Sequence, residues 1–215
     1  MRRARLRYGS GVLIIVLFCS IPAVALHAEI PGWFLSGSTP EDYRVAQESG
    51  IAYNGSHSAS LSSLADAVTS EFGTLMQQVD ARQFAGMRIR FSAYVRTQDV
   101  NGGAALWMRV DGNGTTLSFD NMSHRGWIRG DSPWTFYSIV LDVPAQTELI
   151  SFGLMLTGNG KVWVDDAALD PVALHVPTTG MPIPVWNYPA RLNDLPPAPR
   201  NMDFEAGSDY AAATP

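Results

Sequence analysis

The side chains best suited to binding chemistry lie between residues 107 and 125. Trp107 and Arg109 are two positions apart, so in a strand both point to the same face. An indole ring can stack on the apolar C–H face of a sugar ring, and arginine, aspartate and asparagine side chains can hydrogen-bond to its hydroxyl groups. The sequence therefore predicts a ligand-binding surface built from Trp107, Arg109, Asp120, Asn121 and Arg125.

The same residues also have a purely structural interpretation. Trp107 could pack under a loop, and Arg109 could pair with Asp120 as part of the scaffold. An exposed arginine–carboxylate pair contributes about 0–1 kcal/mol, so a lasting pair here would indicate burial or use in binding.

The elements that must position these side chains are two stretches with a period of two. Residues 87–96 alternate apolar with polar or aromatic residues, and residues 104–110 repeat the alternation after Asn101-Gly102-Gly103. Alternation around a glycine turn predicts two paired strands with one buried face. The outward residues of the first stretch would then lie in the same layer as Trp107 and Arg109; they are Arg88, Arg90, Tyr94 and Arg96.

The rest of the chain up to residue 172 is also rich in strand patterns. Short apolar runs about ten residues apart, separated by Gly, Asn, Asp, Ser and Pro, predict an all-β fold, a jelly-roll β-sandwich of two antiparallel sheets. The expected strands are Tyr43–Glu48, Ala59–Leu64, Gly73–Val79, Arg88–Arg96, Ala104–Val110, Thr116–Asp120, Thr135–Val143, Leu149–Leu156 and Lys161–Ala167. Ser62–Phe72 could be a short helix or a loop.

The first 28 residues have the pattern of an export signal. Four arginines precede apolar runs at 12–18 and 21–26, and Ala23-Val24-Ala25 offers a cleavage site. We predict cleavage and a periplasmic or secreted protein, with an uncleaved membrane anchor as the alternative. Cys19 is the only cysteine, so the mature chain has no thiol chemistry. It would carry 11 basic and 20 acidic residues, a balance that argues against a nucleic-acid partner.

The composition changes after residue 172. Prolines recur through residues 173–199, which predicts an extended linker. Residues 200–215 form a tail with a strand-like fragment at Asn201–Glu205. The tail is either the start of a second module or an edge strand that docks on its own domain or on a neighbouring copy.

Several sequence blocks across residues 31–170 resemble a known superfamily. They are Gly32-Trp33-Phe34-Leu35-Ser36-Gly37-Ser38, Phe72-Gly73-Thr74-Leu75-Met76-Gln77, Leu106-Trp107-Met108-Arg109-Val110-Asp111, Phe119-Asp120-Asn121-Met122, Val140-Leu141-Asp142-Val143-Pro144 and Val162-Trp163-Val164-Asp165-Asp166. Together they resemble a bacterial domain of the galactose-binding-like superfamily, which includes many carbohydrate-binding modules. Some proteins that carry such domains are labelled transcriptional regulators. The resemblance implies a jelly-roll sandwich at residues 29–172, and one such sandwich serves many ligands.

The resemblance also implies a structural calcium ion. Related modules often hold one near the ends of the first and last strands, which here points to Asp165 with Glu205 or Glu29. The usual Asn-x-x-Phe-Glu opening strand is absent before the Gly-Trp block, and Asn201–Glu205 has that form instead. The alternative is that Asp165 and the adjacent Asp166 are solvated residues at a strand end.

Catalytic patterns are weak in this sequence. The histidines are isolated, no Gly-x-Ser-x-Gly occurs, and no carboxylate pair lies in an apolar context that would raise a pKa. We therefore predict an exported, non-catalytic module without a cofactor that binds a carbohydrate or glycan polymer. The alternatives are a structural or protein–protein module, with the tail mediating self-association, and a small glycan hydrolase.

Overall fold

The computed structural model describes residues 30–64, 71–181 and 195–207. Within these ranges the strands are β1 Phe34–Gly37, β2 Tyr43–Ser49, β3 His57–Ser63, β4 Phe72–Asp80, β5 Arg88–Gly112, β6 Thr115–Asp120, β7 Ile128–Asp142, β8 Leu149–Thr157 and β9 Lys161–Val172. Two short 3-10 helices lie at Pro40–Asp42 and Arg82–Phe84. In this part of the chain no helix is long and apolar enough to cross a membrane. The predicted signal segment, Glu29, residues 182–194 of the Pro-rich linker and residues 65–70 of the segment predicted as a short helix or a loop lie outside the described residues.

The strands form two antiparallel layers that share β5. We call the layer in the order β1-β4-β8-β5-β6 the front sheet; it uses residues 103–112 of β5. The layer in the order β2-β3-β9-β5-β7 is the back sheet, and it uses residues 88–98 of β5. The predicted all-β sandwich of two antiparallel sheets is confirmed.

The predicted pairing of Arg88–Arg96 with Ala104–Val110 is wrong. Both stretches belong to one continuous strand, β5, which leaves the back sheet and enters the front sheet. Gly102 and Gly103 lie at the crossing, where a side chain at Gly102 would overlap the carbonyl of Thr157 and one at Gly103 would lie 2.7 Å from the Trp127 ring. The two glycines therefore permit close packing at a bend, and no hairpin turn forms there.

The core lies between the two sheets. The inward residues of β5 are fully buried, and Phe91 of the back sheet meets Phe152 of the front sheet with ring centroids 4.9 Å apart. Trp33, just before β1, packs edge-on against Phe152 at 6.0 Å. The apolar positions that alternate in the sequence are thus the ones that face inward.

The C-terminal tail docks on its own domain. Phe204 is fully buried and lies against Trp33, with ring centroids 5.0 Å apart. The Trp33 indole donates to the Asn201 carbonyl at 3.0 Å, and the Gln47 amide donates to the Phe204 carbonyl at 2.5 Å. Asn201 and Phe204 have positive φ values of 47° and 58°, so residues 201–205 form a turn and not the predicted strand.

The described parts of the linker also run along the domain. The Thr179 N–H donates to the Val140 carbonyl on the outer edge of β7 at 2.8 Å, and the Asp80 N–H donates to the Pro196 carbonyl at 2.9 Å. The chain after β9 therefore stays in contact with the sandwich on both sides of residues 182–194.

Candidate functional site

A groove crosses the outer face of the front sheet, from the edge strand β1 to β6. Its volume is about 520 Å³. The apolar lining residues are Phe34, Phe72, Met76, Trp107, Phe119 and Met155, and the polar ones are Ser36, Thr74, Gln78, Arg109 and Asn121. We call this surface the front groove.

Trp107 forms part of the floor of the groove. The residue is half-buried, and its indole N–H donates to the Thr74 hydroxyl at 2.7 Å. Because Thr74 is on β4 and β8 lies between β4 and β5, the indole crosses β8. Gly153 of β8 is the register partner of both Met76 and Trp107, so no side chain stands between them. The sequence interpretation in which Trp107 is sealed under a loop does not hold.

Arg109 lies in the same groove but is already paired with a carboxylate. It is 8% exposed, and its Nε donates to Asp111 Oδ2 at 2.8 Å. Asp111 Oδ1 accepts a further hydrogen bond from the Thr116 hydroxyl at 2.9 Å. The Asp111 carboxylate therefore balances the charge of Arg109 locally, and the predicted scaffold pair with Asp120 is replaced by one within β5.

The five predicted ligand-binding residues separate into two groups. Trp107, Arg109 and Asn121 line the front groove. Asp120 is fully buried on the opposite side of the sheet, because it pairs in register with the inward residue Met108. Its Oδ2 accepts from Arg125 Nη2 at 2.7 Å, so this ion pair holds the loop after β6.

The groove residues that come from β1, β4 and β8 are absent from the site predicted from the sequence. Thr74, Met76 and Gln78 alternate along β4 and take the outer face by the same period-two rule that places Trp107 and Arg109. Phe34 was missed because β1 has only four residues and follows directly on the Gly-Trp block. The strand order needed to bring these residues together depends on long-range pairing, and a sequence pattern does not contain it.

The predicted common layer of arginines and Trp107 does not form. Arg90, Tyr94 and Arg96 lie on the outer face of the back sheet, because β5 changes sheet before it reaches Trp107. Arg88 lies on the same sheet and pairs with Asp142, at 2.7 Å between Nε and Oδ1. These residues are therefore absent from the lining of the front groove.

Asp165 and Glu205, the residues predicted for calcium, hold the loop between β2 and β3. Asp165 Oδ2 accepts from the N–H groups of Tyr53 and Asn54 at 2.7 and 2.9 Å. Glu205 Oε1 accepts from the N–H groups of Ser56 and His57 at 2.7 and 2.9 Å. N–H donors point their positive ends at these oxygens, an arrangement that does not fit a cation. Among the described residues no group of three or more His, Cys, Asp or Glu could hold a metal ion.

The surroundings of these two carboxylates shift their pKa values in opposite directions. Hydrogen bonds from the His57 side chain, then from the His57 and Ser56 N–H groups, lower the pKa of Glu205 to about 2. Burial raises the pKa of Asp165 above its ordinary value, against the effect of its N–H donors. Glu205 thus stays ionised in the folded protein at any ordinary pH.

The chain resembles a curated protein over most of its length. It is 38% identical over 181 residues to the uncharacterized HTH-type transcriptional regulator YbfP of Bacillus subtilis strain 168. The similarity covers 84% of this chain, which spans 58% of the length of that relative. No protein-family model matches the chain.

Solved structures similar in fold include carbohydrate-binding modules. The CBM22-1–GH10 modules of Clostridium thermocellum xylanase 10B, complexed with xylohexaose, align with a TM-score of 0.48 at 12% identity, over 72% of this chain and 28% of that one. The CBM22-1 xylan-binding domain of Paenibacillus barcinonensis Xyn10C aligns with a TM-score of 0.47 at 17% identity, over 66% and 86%. TmCBM61 in complex with β-1,4-galactotriose aligns with a TM-score of 0.46 at 15% identity, over 67% and 92%.

Proposed function

We propose that this protein is a non-catalytic carbohydrate-binding module that holds a neutral glycan chain in the front groove. The observation that carries the proposal is the half-buried Trp107 indole, fixed by Thr74 across the floor of an open groove. Phe34, 43% exposed at one end of the groove, and the side chains of Gln78 and Asn121 supply a second ring and hydrogen-bonding groups. This combination of aromatic faces and amides suits the two surfaces of a sugar ring.

Two features of the groove favour a neutral ligand and simple binding. Asp111 balances the charge of Arg109, so the groove offers no unmatched cation for an acidic sugar. Among the described residues that line the groove there is no Asp, Glu or His. Glycoside hydrolysis ordinarily uses two carboxyl groups that flank the scissile bond, so we infer that the groove holds a glycan and does not cleave it.

The proposal also includes export. The basic start of the sequence and its short apolar runs have the order of a secretion signal. Fractionation of the producing cells and N-terminal sequencing of the mature protein test this part. A protein that keeps residues 1–28 and stays in the cytoplasm would contradict it.

The binding site can be tested with a printed array of neutral oligosaccharides that includes xylohexaose and β-1,4-galactotriose. We expect the wild type to bind members of the array, and Trp107→Ala and Phe34→Ala to weaken that binding about tenfold or more, since each removes an aromatic anchor. Met87→Ala is the matched control, because Met87 is 42% exposed and does not line the groove. Binding that neither groove variant changes would refute this site.

A DNA-binding role, which the name of the Bacillus relative suggests, is not proposed for this chain. A helix-turn-helix needs two α-helices, and the described residues contain only two short 3-10 helices.

A further inference from the structure

The outer face of the back sheet carries a second group of aromatic side chains. The rings of Tyr53 and Tyr94 stack with centroids 3.4 Å apart and planes 11° apart. Phe136 meets Tyr94 edge-on at 5.4 Å, and Trp134 meets Tyr53 edge-on at 6.4 Å. Tyr53 and Phe136 are 44% and 49% exposed. We call these four residues the back platform; they present ring surface to solvent on the face opposite the front groove.

The loop that carries Tyr53 of the back platform is held by polar contacts at both of its ends. Asp165, only 1% exposed, accepts the N–H groups of Tyr53 and Asn54. Glu205 accepts the N–H groups of Ser56 and His57 at the other end of the same loop. An exposed ring on a loop fixed in this way loses little conformational freedom when a ligand stacks on it.

A polar pocket of about 570 Å³ adjoins the platform and shares Trp134 with it. Its other lining residues include Arg96, Asp99 and Asp131. The Arg96 guanidinium lies over the Trp163 ring, 5.2 Å from its centroid, so its position is also defined. The pocket thus offers hydrogen-bond donors and acceptors beside exposed rings.

We propose that the back platform and this pocket form a second glycan-binding site. The rings offer a flat apolar surface for a pyranose ring, and Arg96 and Asp131 offer a donor and an acceptor for its hydroxyl groups. Charges of both signs line the pocket, so a neutral glycan fits it better than a charged one. The class of ligand rests on the proposed function, but none of the residues is shared with the front groove.

Two sites on opposite faces of one sandwich have a measurable consequence. A single module can hold two glycan chains, or two distant segments of one polymer, and binding to a dense surface gains in strength through the second contact.

The oligosaccharide array described above, with a set of variants, tests the second site. We expect Trp107→Ala to retain part of the array binding, and Trp107→Ala combined with Trp134→Ala to lose at least a further tenfold. In the same Trp107→Ala background, Tyr53→Ala should weaken binding as Trp134→Ala does. Tyr53→Phe keeps the stacked ring, so we expect it to bind the array as well as Trp107→Ala alone. A cooperative thermal unfolding transition checks that each variant is folded. If Tyr53→Ala does not fold, Trp134→Ala alone tests the second site.

The outcomes separate the two sites. If Trp107→Ala alone removes all array binding and the Tyr53 and Trp134 variants bind normally, the second site is refuted and the front groove stands. If the Trp134 and Tyr53 variants lose binding and Trp107→Ala does not, the front groove is refuted and the second site stands. A wild type that binds no oligosaccharide on the array overturns both.

Discussion

At the scale of single residues, the ion pair between Arg109 and Asp111 is buried on both sides. The other ion pairs of the described residues each have at least one partly exposed partner. Removing one member of a buried pair leaves the other charge without its counter-ion, which costs far more than the pair contributes. The same change in an exposed pair costs little.

We therefore expect Asp111→Ala to lower the free energy of unfolding by about 3 kcal/mol, measured by urea denaturation. Asp142→Ala is the matched control, because it breaks the pair with Arg88, in which the Asp142 side chain is 54% exposed; we expect a loss of about 0–1 kcal/mol. The double variant Arg109→Met/Asp111→Ala should recover part of the loss. Equal effects of Asp111→Ala and Asp142→Ala would contradict this account.

The second prediction at the scale of single residues concerns Glu205 and the pH dependence of stability. Its pKa falls from 4.5 to about 2 on folding, so its charged form stabilises the folded protein. That contribution is complete above about pH 4.5 and is lost as the pH falls toward 2. We expect Glu205→Gln to lower Tm at pH 7, and the difference from wild type to shrink at pH 3. The exposed neighbour Asp203 provides the control Asp203→Asn, and a Tm difference that is independent of pH would show that the charge of Glu205 has no such role.

The sequence predicts which face of a sheet a residue lies on more reliably than it predicts which residues that side chain contacts. Period-two alternation correctly places Trp107 and Arg109 on one outer face. Applied to β6, the same rule puts Phe119 and Asn121 outward and Asp120 inward, on the face opposite Trp107 and Arg109. That Arg109 pairs with Asp111 and not with Asp120 depends on side-chain conformations that the pattern does not specify.

At the scale of elements, β5 determines which side chains can meet. The glycines between its two halves suggested a turn, because glycine favours turns. In the structure they let β5 pass close to Thr157 and Trp127 while the strand changes sheet. Sequence alone could not separate these roles, because both require a residue without a side chain. Because β5 changes sheet and forms no hairpin, Arg90, Tyr94 and Arg96 lie on the face of the molecule opposite Trp107.

We expect Gly103→Ala to destabilise the protein by about 1–3 kcal/mol, because the added methyl group would lie 2.7 Å from the Trp127 ring. Chemical denaturation measures the change. Gly207→Ala is the control, since a methyl group there meets nothing within 4 Å. A Gly103→Ala protein as stable as Gly207→Ala would mean that the bend has room for a side chain.

At the scale of the whole molecule, the tail completes the sandwich. The strand-like composition of Asn201–Glu205 suggested an edge strand, yet its main contribution is the buried Phe204 ring, placed against Trp33 by a turn. Burial of an aromatic ring typically contributes several kcal/mol, so residues far along the chain stabilise a core formed mostly before residue 172.

We expect Phe204→Ala to lower the free energy of unfolding by about 3–5 kcal/mol in denaturant titrations. Leu174→Ala, at a position that is 71% exposed, controls for loss of an apolar side chain from the same C-terminal region and should have little effect. A Phe204→Ala protein that unfolds at the wild-type denaturant concentration would show that the tail is not part of the folded core.

The docking of the tail brings the two ends of the described chain side by side. Asn201 Nδ2 donates to the Pro31 carbonyl at 3.2 Å, and the Trp33 indole reaches back to Asn201. A unit whose ends meet can be spliced into an exposed loop of another protein without stretching its host. Residues 30–207 should therefore tolerate transplantation as an insert, or a new order of strands produced by linking the segments at Pro31 and Asn201 and opening a loop elsewhere.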